Sequence, residues 1–418
     1  MILPGYKFGE GAVRQGAIDV ITLDPGLTGE SELIERKGSG HPDSICDELA
    51  SLISQGYARY TTAHCDGMVL HHQVDKLMLI GGRTRVTFGE GEFVDPLTII
   101  LAGRISRSYL GQEIPVDSII DETLRKYFGD RFPMIDFDKD VRVADFLTSH
   151  AGPGTITQSS GSIADMFAPV AKQAVRGYED LVANDTSFCV AYEPQSPLER
   201  AVRDLEEDLT RGATAVANDW LGTDIKVMAY REGREVDITA CIPQIARHVP
   251  DYDTYLANLG AVGSHIQNFL EDRLPGHSVR LSLNTKDKED TKNVYLTVSG
   301  ASLSGDIGAV GRGNRTNGLI TARKPMSMEG TNGKNPRYYA GFIYAEATRR
   351  IAKSVLDETG EPNIVEIVSQ NGGPLLDPWH TRVTTLAGQS TVRTLVEEGV
   401  AAIPQITADF LDGKLRHH

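Results

Sequence analysis

Cysteine is scarce in this chain: there are four among 418 residues, and Cys46, Cys65, Cys189 and Cys241 lie far apart with no C-x-x-C pair. That excludes a zinc ribbon and a disulfide framework, and it leaves reduced, mostly buried thiols as the expectation. Long apolar runs are missing too, since the stretch at 97–102 falls far short of the ~20 residues that cross a bilayer. The opening residues MILPGYKFGEGAVRQ lack a charged segment followed by an apolar one. No secretory signal is read there, and the cytoplasm is the expected compartment. Basic charge is in deficit: 42 Lys+Arg against 57 Asp+Glu leave a net charge of −15. Such a balance opposes binding to nucleic acid or to an anionic membrane. A polyanionic ligand must therefore meet a local basic patch.

What the chain does have is 40% hydrophobic residues, and its length suggests two or three domains at about 150 residues each. Residues 1–30 show no clear period and read as an N-terminal arm or edge strand. From Asp43 the residues Ile45, Leu49, Leu52, Ile53 and Tyr57 recur at helical spacing behind Gly40-His41-Pro42, which puts Asp43 at a helix N-terminus. Strand-like runs at 68–80 and 94–101 flank the turn Gly81-Gly82, and the spacing predicts a helix over 116–128. In the middle third the breaker Ala151-Gly152-Pro153-Gly154 precedes an amphipathic helix bearing Ile163, Met166, Phe167, Val170, Ala174, Val175 and Tyr178, then a strand over 187–192. Ser196-Pro197-Leu198-Glu199 is a capping box opening a helix over 198–209, and 225–230 with 236–242 read as a hairpin. The last third holds a helix near 252–274, strands at 279–283 and 294–298, a glycine-rich loop, a helix over 339–356 and a strand over 364–369. Hairpins alternating with helices favour an α+β fold over one doubly wound sheet: three similar two-layer α/β-sandwich units in a pseudo-threefold arrangement. The expected division is an arm at 1–30 and units at 31–150, 151–275 and 276–418, interleaved in sequence.

Charge is concentrated at one place. Residues 311–340 contain Arg312, Arg315, Arg323, Lys324, Lys334 and Arg337 against the single acid Glu329, a net +5 that leaves −20 elsewhere. Gly311, Gly313, Gly318, Gly330 and Gly333 in the same segment let backbone N–H groups approach a ligand closely. Basic side chains with exposed amide donors describe a phosphate cradle, although a charge run alone is often a solvated face. Neither the Walker spacing nor the dinucleotide fingerprint fits these residues. A second concentration is Gly40-His41-Pro42-Asp43, with Asp47 one turn on: a helix N-terminus favours an anion and Asp43 offers a hard oxygen to Mg²⁺. Taken alone, the same motif is more often a capped helix start than a ligand site. His71-His72 and Asp75-Lys76 read as strand-surface residues. A third is the Asn184-Asp185 turn in ANDTSF, between a helix and a strand.

Taken together, these segments resemble the S-adenosylmethionine synthetase (methionine adenosyltransferase) family, in its archaeal-type branch. The motifs are ERKGSGHPDSICD at 35–47, VDKLMLIGGRT at 74–84, ANDTSFCVAY at 183–192, DIKVM at 224–228, YLTVSG at 295–300, and GRGNRTNGLIT with RKPMSMEGTNGKNP ending at 336. The resemblance spans about Glu32 to Pro378. It implies transfer of the adenosyl group of ATP to the sulfur of L-methionine, expelling triphosphate that is hydrolysed to phosphate and diphosphate. It also implies two Mg²⁺ ions, a K⁺ ion as an open question, and a homodimer with active sites between subunits. His41 is then placed near the oxygen bridging C5′ and the triphosphate, Asp43 and Asp306 at the metal, and Lys226, Arg312 and Lys334 among the catalytic cations around ATP. Asp185, Asp306 and Glu35 are implied at the methionine site, and Gly154 joins the triphosphate set. Bacterial-type members carry Lys after HPD where this chain has Ser44, so Arg315 or Arg83 is the expected replacement cation. Alternatives are a related adenosyltransferase or triphosphatase using another thioether, and a non-catalytic nucleotide sensor.

Overall fold

A computed structural model describes residues 16–27, 29–149, 167–175 and 181–415. Three sheets, each backed by helices over its own core, organise these residues into a mixed α+β fold. The first sheet orders its strands Val141–Thr148, Leu97–Ile105, Met78–Ile80, Ile307–Ala309, with His72–Gln73 also pairing to Leu97–Ile105. Helices Pro42–His64 and Val116–Arg131 cover one face. Ile45, Leu49, Ile53 and Tyr57 fall on one stripe of the longer helix and pack with Leu79, Leu97, Ile99, Leu101, Leu124 and Phe128, all nearly inaccessible to solvent. Each such side chain contributes about 1.5–3 kcal/mol by leaving water. Leu49→Ala would cost about 2–5 kcal/mol through the cavity it leaves.

The second sheet runs Ser278–Leu283, Glu235–Cys241, Lys226–Glu232, Ser31–Lys37, Ile320–Thr321. Burial alternates strictly along Ser31–Lys37, so Ile34 faces the core while Glu35 and Lys37 lie on the opposite face. Helices Pro197–Thr210 and Tyr252–Arg273 complete this core, and the latter is the crossover between the parallel strands Glu235–Cys241 and Ser278–Leu283. The third sheet orders Ala17–Thr22, His380–Thr385, Asn363–Val368, Phe188–Glu193, covered by helices Ala340–Thr359, Gln389–Ala401 and Ile403–Leu411.

Local signals and observed elements agree where the signals are strongest. Both hydrogen bonds of the Ser196 capping box are present, and Lys226–Glu232 pairs antiparallel with Glu235–Cys241. The run at 68–80 differs: only His72–Gln73 and Met78–Ile80 are strand, because the amide of Val74 donates to Gly333 and Asp75-Lys76 turn. Pro96, which has no N–H, splits the run at 94–101 between Glu90–Asp95, paired with Arg83–Thr87, and Leu97–Ile105. Only Leu296–Thr297 of 294–298 is strand. Within 1–30, Ala17–Thr22 is an edge strand parallel to His380–Thr385. The expected helix bearing Ile163 to Tyr178 lies partly outside the described residues, and the 167–175 portion holds one 3₁₀ turn, Lys172–Ala174. Gly154 also lies outside the described residues. His71 and His72, expected at the surface, are both buried. Cys46, Cys65 and Cys189 are buried thiols and Cys241 is half-buried. Among the described residues, no helix is long and apolar enough to cross a membrane.

Candidate active site

The chain leaves the second sheet at Lys37, turns through Gly38-Ser39-Gly40 and enters the helix Pro42–His64 of the first. Pro42 suits the first helical position because its missing N–H would have no partner there. His41 is the N-cap, and its Nδ1 accepts the Asp43 amide hydrogen at 3.1 Å. A ring nitrogen that accepts carries no proton, so in the neutral ring the hydrogen resides on Nε2. Burial, then the positive charges of Lys37 and Lys226, bring the His41 pKa down to about 4 against the opposing pull of Asp43 and Asp306. The ring is therefore neutral at pH 7 and keeps one N–H to donate.

The glycine-rich loop folds over this helix start. Asp47, one turn into the helix, accepts the Gly311 amide at 2.7 Å on Oδ1 and the Gly313 amide at 3.0 Å on Oδ2. Burial nevertheless dominates and pushes the Asp47 carboxyl up to about 6. A Cβ on Gly313 would collide with the Asp47 carboxylate, and one on Gly308 with the Pro42 carbonyl, so the close approach requires glycine. Asp43 accepts from the Ala309 amide at 3.0 Å and from Lys37 Nζ at 2.9 Å. Its pKa is lowered: burial opposes ionisation, and these donors with the Lys37 charge outweigh it.

A cleft of about 430 Å³ opens beside the helix start, lined among others by His41, Lys226, Asp306, Asp224, Tyr295 and Ser302. Lys226 Nζ lies 3.4 Å from Glu35, which is also 3.8 Å from Lys37. Asp306 accepts the Ile307 amide at 2.8 Å and the Ser302 hydroxyl at 3.3 Å. Asp224 accepts the Tyr295 hydroxyl, while its Oδ1 is buried without a hydrogen-bond partner among the described residues. Burial first, then the Asp306 charge, push the Asp224 carboxyl up to about 7. Two carboxylates in one cleft suit a cation, and the orphaned Asp224 oxygen is an open donor for it. Among the described residues no three His, Cys, Asp or Glu groups gather to enclose a metal. The donor set thus fits Mg²⁺, a hard ion that takes one or two carboxylates and completes its shell with phosphate oxygens and water.

The remaining expected residues do not all join this cleft. Asp185 and Lys334 line a separate cleft of about 380 Å³ with Asp75, Lys76, Asn184, Gln73 and Tyr339. Lys334 is buried, which lowers its pKa, and is paired with Glu329. Asp185 caps the Thr186 amide at 2.7 Å. The exposed Arg312 guanidinium has no partner among the described residues, whereas its carbonyl accepts from Lys37 Nζ at 2.6 Å. Arg315 turns inward and donates to the Gly311 and Gly313 carbonyls. Arg83 is exposed on a hairpin, 2.7 Å from Asp95, and lines neither cleft. Sequence reasoning gave no role to Lys37, Asp224 and Tyr295 and none to Asp47 beyond its spacing. The signal lay in the motifs: Lys37 precedes GSGHPD, and Asp224 and Tyr295 begin DIKVM and YLTVSG.

Comparison with known proteins gives a consistent picture. The model of the S-adenosylmethionine synthetase (AdoMet synthetase) family matches residues 17–414. The S-adenosylmethionine synthase of Haloarcula marismortui is 35% identical over 395 residues, covering 92% of this chain and 94% of that protein. That of Picrophilus torridus is 32% identical over 420 residues, covering 96% and 98%. In fold, the chain is similar to a solved S-adenosylmethionine synthetase from Campylobacter jejuni, with a TM-score of 0.56 at 15% identity over 91% of this chain and 88% of the other.

Proposed function

The chain belongs to the S-adenosylmethionine synthetase family and is a methionine adenosyltransferase, and we propose that ATP reacts with L-methionine in the cleft of His41, Lys226 and Asp306. The observation that carries this reading is the state of His41: a neutral imidazole with its proton on Nε2, at a helix N-terminus, between a lysine and an aspartate. A thioether sulfur already holds the lone pair that attacks C5′, so the reaction needs no general base. It needs the charge of the departing triphosphate stabilised and the two reactants held in line. His41 donates Nε2–H toward the oxygen that leaves C5′, and a neutral donor can do so at pH 7 without first being titrated. Lys226 and Arg312, whose guanidinium is unpaired among the described residues, add fixed positive charge, and the dipole of the Pro42–His64 helix start favours the anion. The adjoining cleft of about 550 Å³, which shares Asn293, Val294, Tyr295 and Ser302 with the first, carries Phe88, Phe93, Val86 and Leu296 beside hydroxyl and amide groups, a mixed lining suited to adenine.

Asp306 and Asp224 are the groups that would hold Mg²⁺, which when bound would neutralise triphosphate charge; Asp43, expected with them, lines neither cleft and its oxygens are taken by the Ala309 amide and Lys37. Asp185 and Lys334 act on substrate from the other cleft, Asp185 toward the methionine ammonium and Lys334 toward the triphosphate. Two half-furnished clefts on one chain support a homodimer in which one subunit's Lys334 cleft closes on its partner's His41 cleft. An apolar sheet face supports it further: Met78, Ile80, Ile307 and Phe146 are exposed on the first sheet, and Ile307 directly follows Asp306.

Incubation of purified protein with ATP, methionine and Mg²⁺, with and without K⁺, should yield S-adenosylmethionine, phosphate and diphosphate in equal amounts. ATP cleavage without S-adenosylmethionine would overturn the reaction. For the shared site, a heterodimer of one His41→Asn and one Lys334→Ala chain, purified through two tags, should keep about half of wild-type activity because one site is intact. No activity in it would place each site within one chain.

A further inference from the structure

Lys37 belongs to no element that the chemistry of the cleft calls on directly, yet three groups converge on it. Its Nζ is 2.9 Å from Asp43 Oδ2, 2.6 Å from the Arg312 carbonyl and 3.8 Å from Glu35. Its backbone is held as well, the amide donating to Asn314 Oδ1 at 3.0 Å and the carbonyl accepting from Asn314 Nδ2 at 2.8 Å. The side chain is 11% exposed. One residue at the end of a second-sheet strand thus grips the helix start of the first sheet and both sides of the Gly311–Asn314 loop turn. The two arginines expected to replace the missing cation after HPD are otherwise engaged, Arg315 by loop carbonyls and Arg83 by Asp95. The buried hydroxyl of Ser44, which stands at that position, has no hydrogen-bond partner among the described residues.

We propose that Lys37 is a positioning residue for adenosyl transfer, fixing the glycine-rich loop against the His41–Asp43 helix start. The inference rests on the cleft being the adenosyl-transfer site, but the loop geometry is measurable without that reading. The ammonium does not touch the reacting atoms. It sets where Arg312 and the Gly311 and Gly313 amides stand, and a displacement of about 1 Å at such groups costs on the order of 10²-fold in rate.

The test uses the full-length protein with Lys37→Met, which keeps the stem, and Lys37→Arg, which keeps the charge. Hydrogen exchange of the Gly311 and Gly313 amides is followed beside kcat and the KM values for ATP and methionine. Lys37→Met should exchange both amides at least about tenfold faster and lower kcat at least about tenfold, with the methionine KM within about twofold. Lys37→Arg should restore most of the protection and part of kcat. Wild-type protection of both amides in Lys37→Met overturns the proposal, as does a rise in methionine KM with kcat unchanged. If Lys37→Met does not fold, Lys37→Gln, an uncharged donor to the Arg312 carbonyl, decides by the same two readouts. A wild-type enzyme that forms no S-adenosylmethionine would sink the functional reading, while the exchange arm would still decide the role of Lys37 in the loop.

Discussion

Replacing Asp47 by Asn should separate activity from stability. Asp47 is 1% exposed and anchors the loop through the Gly311 and Gly313 amides. In Asp47→Asn one oxygen still accepts, but the amide nitrogen faces the second glycine N–H, donor against donor. The loss is one unsatisfied buried donor, about 1–3 kcal/mol, because the charge-assisted bonds to the two amides already enter the Asp47 pKa. Against it stands a gain. The Asp47 pKa is pushed from 3.8 up to about 6 by burial, so above pH 6 the native state carries about 3 kcal/mol of strain for keeping this carboxylate ionised. The sign follows from linkage: the unfolded chain releases the proton first, so the group's penalty is absent below pH 3.8 and complete above pH 6. Asn removes that penalty. The two contributions nearly cancel in global stability, while the loop anchor is lost in full. Asp47→Asn should therefore unfold in urea within about 2 kcal/mol of wild type at pH 7.5 and lose on the order of 10²-fold in kcat. Turnover within about threefold of wild type, with the midpoint unchanged, would refute the argument that these two amides position the loop.

How far the fold could be read depended on how local each signal is. The helix Pro197–Thr210 was legible because its cap, its proline and its apolar stripe sit within one stretch. The strand break at Val74 was not, because the partner that takes its amide, Gly333, is far along the chain. Nor was the partner of each strand: units interleaved in sequence were expected, but not that Ser31–Lys37 would pair with Lys226–Glu232 and with Ile320–Thr321. Sequence period specifies that a strand exists and which face is apolar, and it leaves the partner open.

The site divides along the same line. Charge is legible, and the net +5 of residues 311–340 did mark the loop that folds over the His41 helix start. Which cations remain available to a ligand was not legible, because availability is decided by contacts across the whole chain. Arg315 is spent on carbonyls of its own loop, Arg83 on Asp95, and Lys37 on a carbonyl 275 positions away. Arg312 and Lys226 keep exposed heads. The histidines show the same limit from the opposite side: His71-His72 looked like alternating surface residues, yet the loop at Asn335 and the ring of Tyr338 close over them.

Two further outcomes follow from these contacts. Lys334→Ala and Asp43→Asn should each lower turnover at least about tenfold, the first by removing charge facing the triphosphate and the second by releasing Lys37 and the Ala309 amide from the helix start, and near-normal rates in both would reject those roles. His72 makes the fold itself sensitive to acid. It is fully buried, Nδ1 lying 3.0 Å from the Leu70 carbonyl and Nε2 2.7 Å from the Ser54 hydroxyl. A carbonyl only accepts, so Nδ1 holds the proton and Nε2 faces the Ser54 hydroxyl, which also reaches the Lys334 carbonyl at 3.2 Å. Burial brings the His72 pKa from 6.5 down to about 4, the Leu70 contact opposing only in part. The native state therefore resists a proton that the unfolded chain accepts below pH 6.5. The stability involved, about 3 kcal/mol, is complete above pH 6.5 and lost as the pH falls toward 4. Urea titrations of wild type and His72→Gln at pH 7 and pH 4.5 should show the wild-type advantage shrinking by most of that amount, and an advantage independent of pH would mean that the buried imidazole is not what acid attacks.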